Sequence, residues 1–263
     1  MSADFISRIE HHFEPDYFNA ICERLPSILK RLMKKDSIKN QDEAEKLKRN
    51  QVLYLSNHRS HLDYIQQIYN FWRLGLPIPR VAARENVFIP ILGEVWRKCG
   101  AFKLPLRKMS SEEAHIIKEY IENLITTNSS ILIYPEGGRS YTGEIKSFKS
   151  GGIGAVLHVA KKEGIDILVS PQYIAYEPTI EANFFPALQY FKERGQLIRY
   201  QLTDLFAFAL RFLPPARGSV THIFGEPFPL LDCENKREVC KRARTSILEM
   251  HETYQTEKQI ARE

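Results

Sequence analysis

A histidine and an aspartate five positions apart, His58 and Asp63, are the residues of this sequence best suited to acid–base chemistry. A neutral imidazole takes a proton from a hydroxyl near pH 7, and a carboxylate holds that imidazole in the required tautomer. On one regular helix, residues five apart point about 140° away from each other. The pairing therefore requires His58 in a loop and Asp63 in the first turn of the helix that follows.

The same segment also admits a purely structural interpretation. Ser60 followed by Asp63 has the S-x-x-D form of a capping box, in which the carboxylate satisfies backbone N–H groups. His58 would then be an ordinary polar loop residue. His61 is a further candidate base, but its two-residue offset from Asp63 suits a pair less well. This segment alone leaves both interpretations open.

Two more segments have residues suited to phosphate. Glu136-Gly137-Gly138-Arg139-Ser140 follows an apolar run; glycines let backbone amides approach a ligand, and an arginine offers a planar fork. The alternative is a glycine turn with a solvated arginine. Residues 97–108 contain five cations, including Arg107, and no acid. Such a run forms a positive patch suited to phosphate, although most runs of this kind are solvated faces.

The elements that must position these residues alternate between strand and helix. Apolar runs predict buried strands at 51–57, 130–138, 166–176 and 219–224, and apolar periodicity predicts helices at 14–35, 61–73, 110–127, 152–163 and 235–258. We expect an α/β fold with a mixed, mostly parallel sheet flanked by helices and preceded by an N-terminal helical segment. We interpret 1–50 as that segment, with an exposed polar connection at 36–50, and 51–263 as the main domain of one globular unit. Ligands of such sheets bind beyond the carboxyl ends of strands, where His58 and Arg139 lie.

Composition limits the class of protein. The 263 residues are 43% hydrophobic and 26% charged, which is typical of a globular chain, and the net charge of +5 permits an acidic partner. The four cysteines form no CxxC pair, so we expect reduced thiols in a cytoplasmic protein. The first residues carry acids and lack the apolar stretch of a signal peptide. No run approaches the roughly 20 apolar residues of a spanning helix, which predicts a soluble or peripheral protein.

Four segments in a fixed order resemble the motifs of the glycerol-phosphate acyltransferase superfamily. The H-x4-D motif matches residues 57–63, the second motif resembles 100–107, the third matches 136–140 and the fourth resembles 170–177. A further segment, 223–227, is similar to a strand common in the same proteins. Within the superfamily, residues 58–63, 100–102 and 136–143 look like the branch that acylates glycerol 3-phosphate or dihydroxyacetone phosphate.

The resemblance implies a role for each matching residue. His58 would be the general base and Asp63 its partner, in the transfer of a fatty acyl group from acyl-CoA or acyl carrier protein to glycerol 3-phosphate. The residues implied to bind the acceptor and its phosphate are Glu136, Gly137, Arg139, Ser140 and Arg107, with supporting roles for Asn57, Arg59, Ser60, Phe102 and Pro171. No metal or bound cofactor and no nucleic acid partner is expected. An anionic membrane surface is a further expected partner, through peripheral attachment at the cytoplasmic face. Two segments are candidates for that contact: the N-terminal helix, whose apolar stripe ends in Lys30, Arg31, Lys34 and Lys35, and the apolar segment 205–213 with its cation Arg211.

Two departures leave the acceptor open. The second motif of that branch usually continues with an aromatic or apolar pair and then adjacent arginines, whereas this chain has Pro105 in the segment before Arg107. The chain also lacks the long flanking regions of the large first-step enzymes. A lysophospholipid acyltransferase, a non-catalytic lipid-binding module and another phosphate-handling α/β enzyme remain alternatives. The absence of a G-x4-G-K-[ST] loop and of a G-x-G-x-x-G sequence counts against nucleotide enzymes.

Overall fold

The computed structural model describes residues 9–10, 12–88, 92–105, 109–177, 183–209 and 218–261. Within these residues one sheet has eight strands, in the order β1-β7-β6-β2-β5-β3-β4, and β8 pairs with β6. The strands are β1 (Met33–Lys39), β2 (Gln51–Ser56), β3 (Arg80–Arg84), β4 (Ala101–Leu104), β5 (Ile131–Ile133), β6 (Ile167–Glu177), β7 (Gly218–Phe224) and β8 (Phe228–Pro229). The helices are α1 (Pro15–Leu32), α2 (Gln41–Glu45), α3 (Leu62–Leu74), α4 (Leu92–Lys98), α5 (Ser111–Thr126), α6 (Gly151–Glu163), α7 (Phe185–Glu193), α8 (Leu197–Ala209) and α9 (Lys236–Ile260).

The sheet is mixed and mostly parallel, as the sequence predicts. Strands β6, β2, β5, β3 and β4 run parallel to one another, and β1 runs parallel to β7. The antiparallel pairs are β6 with β7 and β6 with β8. The carboxyl ends of β2, β5 and β3 therefore lie at one edge of the sheet, where the loops that follow them meet.

Strand β2 divides the core into two layers. All six of its residues are buried, as expected for a central parallel strand covered on both faces. Leu53 and Leu55 pack with α5, α6 and α9 on one face, whereas Val52 and Tyr54 pack with α2 and α3 on the other. Helix α1 packs through its own buried residues, Leu29 and Leu32, against α3 and β7. The strand that leads to His58 is thus held from both sides.

The predicted helix at 14–35 and the predicted exposed connection at 36–50 are wrong in part. Helix α1 ends at Leu32, and Met33–Lys39 forms an edge strand that pairs with β7. Lysine-rich polar strands are typical of sheet edges, where charge prevents pairing with another chain, and they lack the apolar run that identifies a buried strand. The division at residue 50 therefore falls between two strands of one sheet.

The other predicted elements agree with the structure to within a few residues, except that the strand predicted at 130–138 is limited to Ile131–Ile133. Helix α5 begins with a capping box: Ser110 Oγ accepts from the Glu113 N–H at 3.1 Å, and the Glu113 carboxylate accepts from the Ser110 N–H at 2.9 Å. Among the described residues, no helix combines the length and apolar character needed to span a membrane.

Candidate active site

Two loops meet at the carboxyl edge of the sheet. Strands β2 and β5 are neighbours in register, with Leu55 opposite Ile133, so the segments that follow them start side by side. The His58 N–H donates to Glu136 Oε1 at 3.0 Å, and the Ser140 N–H donates to the His58 carbonyl at 2.8 Å. These two hydrogen bonds link the first motif directly to the third.

The predicted pair is formed. His58 Nδ1 lies 2.8 Å from Asp63 Oδ2; the Asp63 side chain is wholly buried, whereas the His58 side chain is 18% exposed. His58 lies in the loop and Asp63 in the first turn of α3, which is the arrangement that the spacing demands. Asp63 Oδ2 also accepts from the N–H groups of Arg59 at 2.6 Å and Ser60 at 3.0 Å. One oxygen of Asp63 therefore makes both the hydrogen bonds of a helix cap and the contact with the imidazole.

The surroundings of Asp63 favour its ionised form, and that form selects the tautomer of a neutral His58. Burial opposes ionisation of Asp63, but the hydrogen bond from His58 and those from the Ser60 and Arg59 backbone outweigh burial and lower the pKa of the carboxyl. An ionised carboxylate accepts only, so a neutral His58 carries its proton on Nδ1. Nε2 is then the basic nitrogen of the partly exposed ring. The arrangement suits removal of a proton from a hydroxyl group.

A tyrosine that the sequence did not single out fixes the plane of the imidazole. The Tyr134 ring stacks on His58, with centroids 4.5 Å apart and planes inclined by 24°. Its hydroxyl donates to Gln67 Oε1 of α3 at 2.8 Å, and burial raises the pKa of that hydroxyl well above its usual value. His58 is thus oriented by a hydrogen bond at Nδ1 and by a ring on one face.

The 136–140 turn is held mainly by hydrogen bonds to its own neighbours. Glu136 Oε2 accepts from the Lys146 N–H at 3.1 Å, so the carboxylate joins the loop that contains His58 to the loop that contains Lys146. Burial raises the pKa of Glu136. Ser140 Oγ donates to the Glu144 carbonyl at 2.6 Å. Gly137 has φ +71°, and a Cβ there would lie 2.6 Å from Lys149 Nζ. The acceptor-binding roles of Glu136, Gly137 and Ser140 stay predictions.

Arg139 is buried in an ion pair. Its side chain is 4% exposed, and Nη2 contacts Asp204 Oδ1 of α8 and donates to the Tyr200 hydroxyl at 3.2 Å. His61 Nε2 lies 2.8 Å from the other Asp204 oxygen. Burial opposes ionisation of Asp204, but the hydrogen bond from His61 and the charge of Arg139 lower its pKa to about 2. His61, the alternative base, therefore belongs to a second histidine–aspartate pair and not to Asp63.

Most residues with predicted supporting roles hold the loops. Asn57 donates to the Ile174 carbonyl at 3.0 Å and accepts from the Ile174 N–H at 2.8 Å, which ties the His58 loop to β6. Ser60 Oγ accepts from the Leu62 N–H at 3.0 Å. Arg59 lies against Gly143, where a Cβ would be 2.9 Å from Nη1. Phe102 and Pro171 are core residues of β4 and β6, and Arg107 lies outside the described residues.

Two side chains of the site were not predicted from the sequence. Asp204 lies outside the four motifs, and Tyr134 is of a residue type that does not by itself indicate a functional role. Asp204 had a signal, because a lone carboxylate in the apolar stretch 202–216 indicates a buried partner. Nothing in the sequence pointed to Arg139 as that partner, since 65 positions separate the two residues. Tyr134 gave no signal, because a buried aromatic residue is most often only core.

Comparison with known proteins finds a matching family model and related sequences. The acyltransferase family model matches residues 37–175. A glycerol-3-phosphate acyltransferase of Baumannia cicadellinicola subsp. Homalodisca coagulata is 33% identical over 207 residues, covering 75% of this chain and 24% of the relative. One from Xylella fastidiosa is 32% identical over 186 residues, covering 69% of this chain and 21% of the relative. This chain thus spans about a quarter of the length of these curated relatives or less.

A solved structure shows the same fold. The crystal structure of the 1-acyl-sn-glycerophosphate (LPA) acyltransferase PlsC from Thermotoga maritima superposes with a TM-score of 0.52 at 17% identity, covering 84% of this chain and 72% of that one. The family match extends over the strands and loops that carry His58, Asp63 and the 136–140 turn. From the family match and these relatives, we conclude that the chain belongs to the acyltransferase family.

Proposed function

We propose that this protein transfers a fatty acyl group from a thioester donor to a hydroxyl of glycerol 3-phosphate. His58 Nε2 takes the proton of the hydroxyl as its oxygen attacks the thioester carbonyl carbon. The carbon–sulfur bond then breaks, and the proton passes to the departing sulfur, so that a thiol and an ester are the products. Asp63 orients the ring and stabilises the imidazolium that forms between the two steps.

One observation carries this proposal: the 2.8 Å contact between His58 Nδ1 and Asp63 Oδ2, with the carboxylate buried and the imidazole partly exposed. An accessible imidazole that is hydrogen-bonded to a buried carboxylate is suited to act as a general base near pH 7. The names of the glycerol-3-phosphate acyltransferase relatives support glycerol 3-phosphate as the acceptor. The donor is acyl-CoA or acyl carrier protein, and the reaction as written needs no metal or bound cofactor.

The acceptor is placed by the turn at 136–140. Hydrogen bonds from His58 to Glu136 and from Ser140 to His58 keep the turn beside the base. An acceptor with its phosphate at this turn presents its hydroxyl to the adjacent imidazole. Holding the two reactants in this way supplies part of the rate by proximity alone.

A panel assay tests the function. The purified protein is incubated with acyl-CoA or acylated carrier protein and with glycerol 3-phosphate, dihydroxyacetone phosphate or a lysophosphatidate, and thiol release is followed with mass spectrometry of the lipid product. We expect thiol release that depends on glycerol 3-phosphate and is lost in His58→Ala. Thiol release that depends only on lysophosphatidate would show that the acceptor is lysophosphatidate and not glycerol 3-phosphate. Equal release by wild type and His58→Ala would exclude His58 as the base.

We further propose peripheral attachment to the cytoplasmic face of an anionic membrane through α8. Ile198, Leu202 and Phe206 recur every four residues on one helix face and are 73%, 63% and 57% exposed. The exposed cations Arg194 and Arg199 lie four residues before Ile198 and one residue after it in the sequence, and they suit anionic headgroups. A bilayer is the favoured occupant because the product is itself a lipid.

The other surface considered from the sequence offers less apolar area. The apolar stripe of α1 is buried at Phe18, Cys22, Leu29 and Leu32, with Ile28 as its exposed large apolar residue. Lys34 and Lys35 belong to β1 and not to that helix. Of the segment 205–213, residues 210–213 lie outside the described residues. The proposal therefore rests on the exposed face of α8.

A further inference from the structure

Helix α3 carries a buried glutamine one turn after Asp63. Gln67 is fully buried and lies four residues after Asp63, so both side chains leave the same face of the helix. Gln67 Oε1 accepts from the Tyr134 hydroxyl at 2.8 Å, and the Tyr134 ring stacks on the imidazole of His58. One face of α3 thus reaches His58 by two routes, directly through Asp63 and indirectly through Gln67 and Tyr134.

The orientation of the Gln67 amide is determined by its other partners. Ser56 Oγ donates to the Asn57 carbonyl at 3.1 Å, so it accepts from Gln67 Nε2 at 2.9 Å. Gln67 Nε2 donates its second proton to Gln172 Oε1 at 2.9 Å. In the flipped amide, the Gln67 oxygen would face the Gln172 oxygen. Gln67 Oε1 therefore points at Tyr134, whose hydroxyl is the donor.

Gln172 is itself held in one orientation. Asn70 Nδ2 of α3 donates to His222 Nδ1 at 3.0 Å, so a neutral His222 carries its proton on Nε2 and donates to Gln172 Oε1 at 2.9 Å. Gln172 Nε2 donates to Ser170 Oγ at 3.4 Å. All of these side chains are fully buried. Turning the Gln67 amide would leave buried polar groups of this network unpaired, which keeps its carbonyl in place.

The Tyr134 ring adds a constraint on His58 that Asp63 does not supply. The contact of His58 Nδ1 with Asp63 Oδ2 fixes a distance, but the imidazole can still tilt about the line that joins the two atoms. A ring stacked on one face of the imidazole opposes that tilt. The tyrosine ring stays in place because Gln67 holds its hydroxyl. The direction in which His58 Nε2 faces a substrate hydroxyl therefore depends on Gln67.

We propose that Gln67 is a positioning residue for the base, which fixes the plane of His58 by holding the Tyr134 hydroxyl. Gln67 acts through Tyr134 and takes no proton itself. This role rests on the proposed function only for the reaction that is measured. A glutamine that merely completes the buried network would lower stability when replaced, without a specific loss of kcat.

Gln67→Met removes the amide and keeps the length of the side chain. We expect kcat for acyl transfer to fall roughly 10- to 100-fold, because small displacements of a catalytic group are costly in rate. Both KM values should stay within about twofold of wild type, since the interaction is used in the transition state. Gln66→Met is the matched control: Gln66 is buried on the same helix, and its Nε2 donates to Asp36 Oδ1 at 2.8 Å. We expect wild-type kcat in that variant.

Tyr134→Phe removes the hydroxyl and keeps the ring. If Gln67 acts through that hydroxyl, Tyr134→Phe should lower kcat by a similar factor. The double variant should then lose little more than either single variant, because the two changes break the same hydrogen bond. Losses that multiply, or a loss of kcat in Gln66→Met equal to that in Gln67→Met, overturn the positioning role.

Nuclear magnetic resonance without substrate separates this role from the proposed function. The hydrogen bond to buried Asp63 protects the Nδ1 proton of His58 from exchange with water, and His58→Ala assigns its signal by loss. We expect faster exchange in Gln67→Met and Tyr134→Phe, and wild-type exchange in Gln66→Met. This result in a protein that releases no thiol with any acceptor would reject the proposed function and leave the positioning role standing. Unchanged exchange in Gln67→Met overturns the positioning role.

Discussion

One oxygen of Asp63 accepts every hydrogen bond that this carboxylate makes within the described residues. Oδ2 accepts hydrogen bonds from His58, Arg59 and Ser60, whereas the buried Oδ1 has no hydrogen-bond partner among the described residues. The two backbone donors hold the carboxylate, and the carboxylate holds the imidazole. A cap and a catalytic partner can therefore be the same group, and S-x-x-D alone does not distinguish them.

Asp63→Asn separates charge from geometry. An amide oxygen in place of Oδ2 keeps all three hydrogen bonds but does not stabilise an imidazolium. We expect kcat to fall by roughly 10²- to 10⁴-fold, with little change in either KM, as measured by initial rates of thiol release. A variant that retains most of the wild-type kcat would show that Asp63 only caps α3.

The Arg139–Asp204 pair should be tested by a double-mutant cycle. Both side chains are almost fully buried, at 4% and 6% exposure, so removing one partner leaves an uncompensated buried charge. We expect Arg139→Met and Asp204→Asn each to lower the free energy of unfolding by about 3 kcal/mol. The double variant should lose much less than the sum of the two, measured by urea denaturation; additive losses would show that the charges are not coupled.

At the scale of elements, α8 has two faces with different roles. Asp204 and Ala207 are buried on the inner face, and Ile198, Leu202 and Phe206 are exposed on the outer one. The same helix therefore links the buried ion pair beside the 136–140 turn to the surface that we propose meets the bilayer. Removing the outer apolar side chains should weaken membrane binding without disturbing Arg139.

Liposome flotation checks that expectation. We predict that the wild-type protein floats with vesicles containing anionic lipid, and that floating decreases as salt is raised. Combined Ile198→Gln, Leu202→Gln and Phe206→Gln should weaken partitioning more than a hundredfold, since each side chain contributes roughly 1.5–3 kcal/mol. Ile28→Gln, an exposed position on α1, is the matched control. Flotation unchanged by the triple substitution would exclude α8 as the contact.

At the scale of the whole molecule, the elements that could be predicted from the sequence are those with a clear apolar pattern. Strands β2 and β6 and helices α5 and α9 were predicted because buried runs and capped periodic segments are local signals. The edge strand β1 was missed because its lysines resemble a loop, and β3 and β4 are short. The His58–Asp63 contact was predictable from five-residue spacing. The contact of Arg139 with Asp204 was not, since only the tertiary fold brings α8 to the turn.

A buried histidine makes the stability of the whole fold depend on pH. His222 of β7 is fully buried; Asn70 Nδ2 donates to its Nδ1 at 3.0 Å, and its Nε2 donates to Gln172 Oε1 at 2.9 Å. This pattern requires a neutral ring. Burial, aided by the charge of Arg73, lowers the pKa of His222 from 6.5 to about 3.

Because the pKa of His222 is lowered in the folded protein, the free energy of unfolding falls as the pH is lowered. The unfolded chain takes up a proton at this histidine as pH falls below about 6.5, and the folded protein does not until about pH 3, so the stability present above 6.5 is lost across that range. Between pH 7 and pH 5 the contribution is about 2 kcal/mol. Urea denaturation at the two pH values should show a smaller pH-dependent loss in His222→Gln than in wild type by about that amount. His115→Gln, an exposed control on α5, should behave as wild type. An equal pH dependence in all three proteins would mean that His222 takes up its proton in the folded protein over the same pH range as in the unfolded chain.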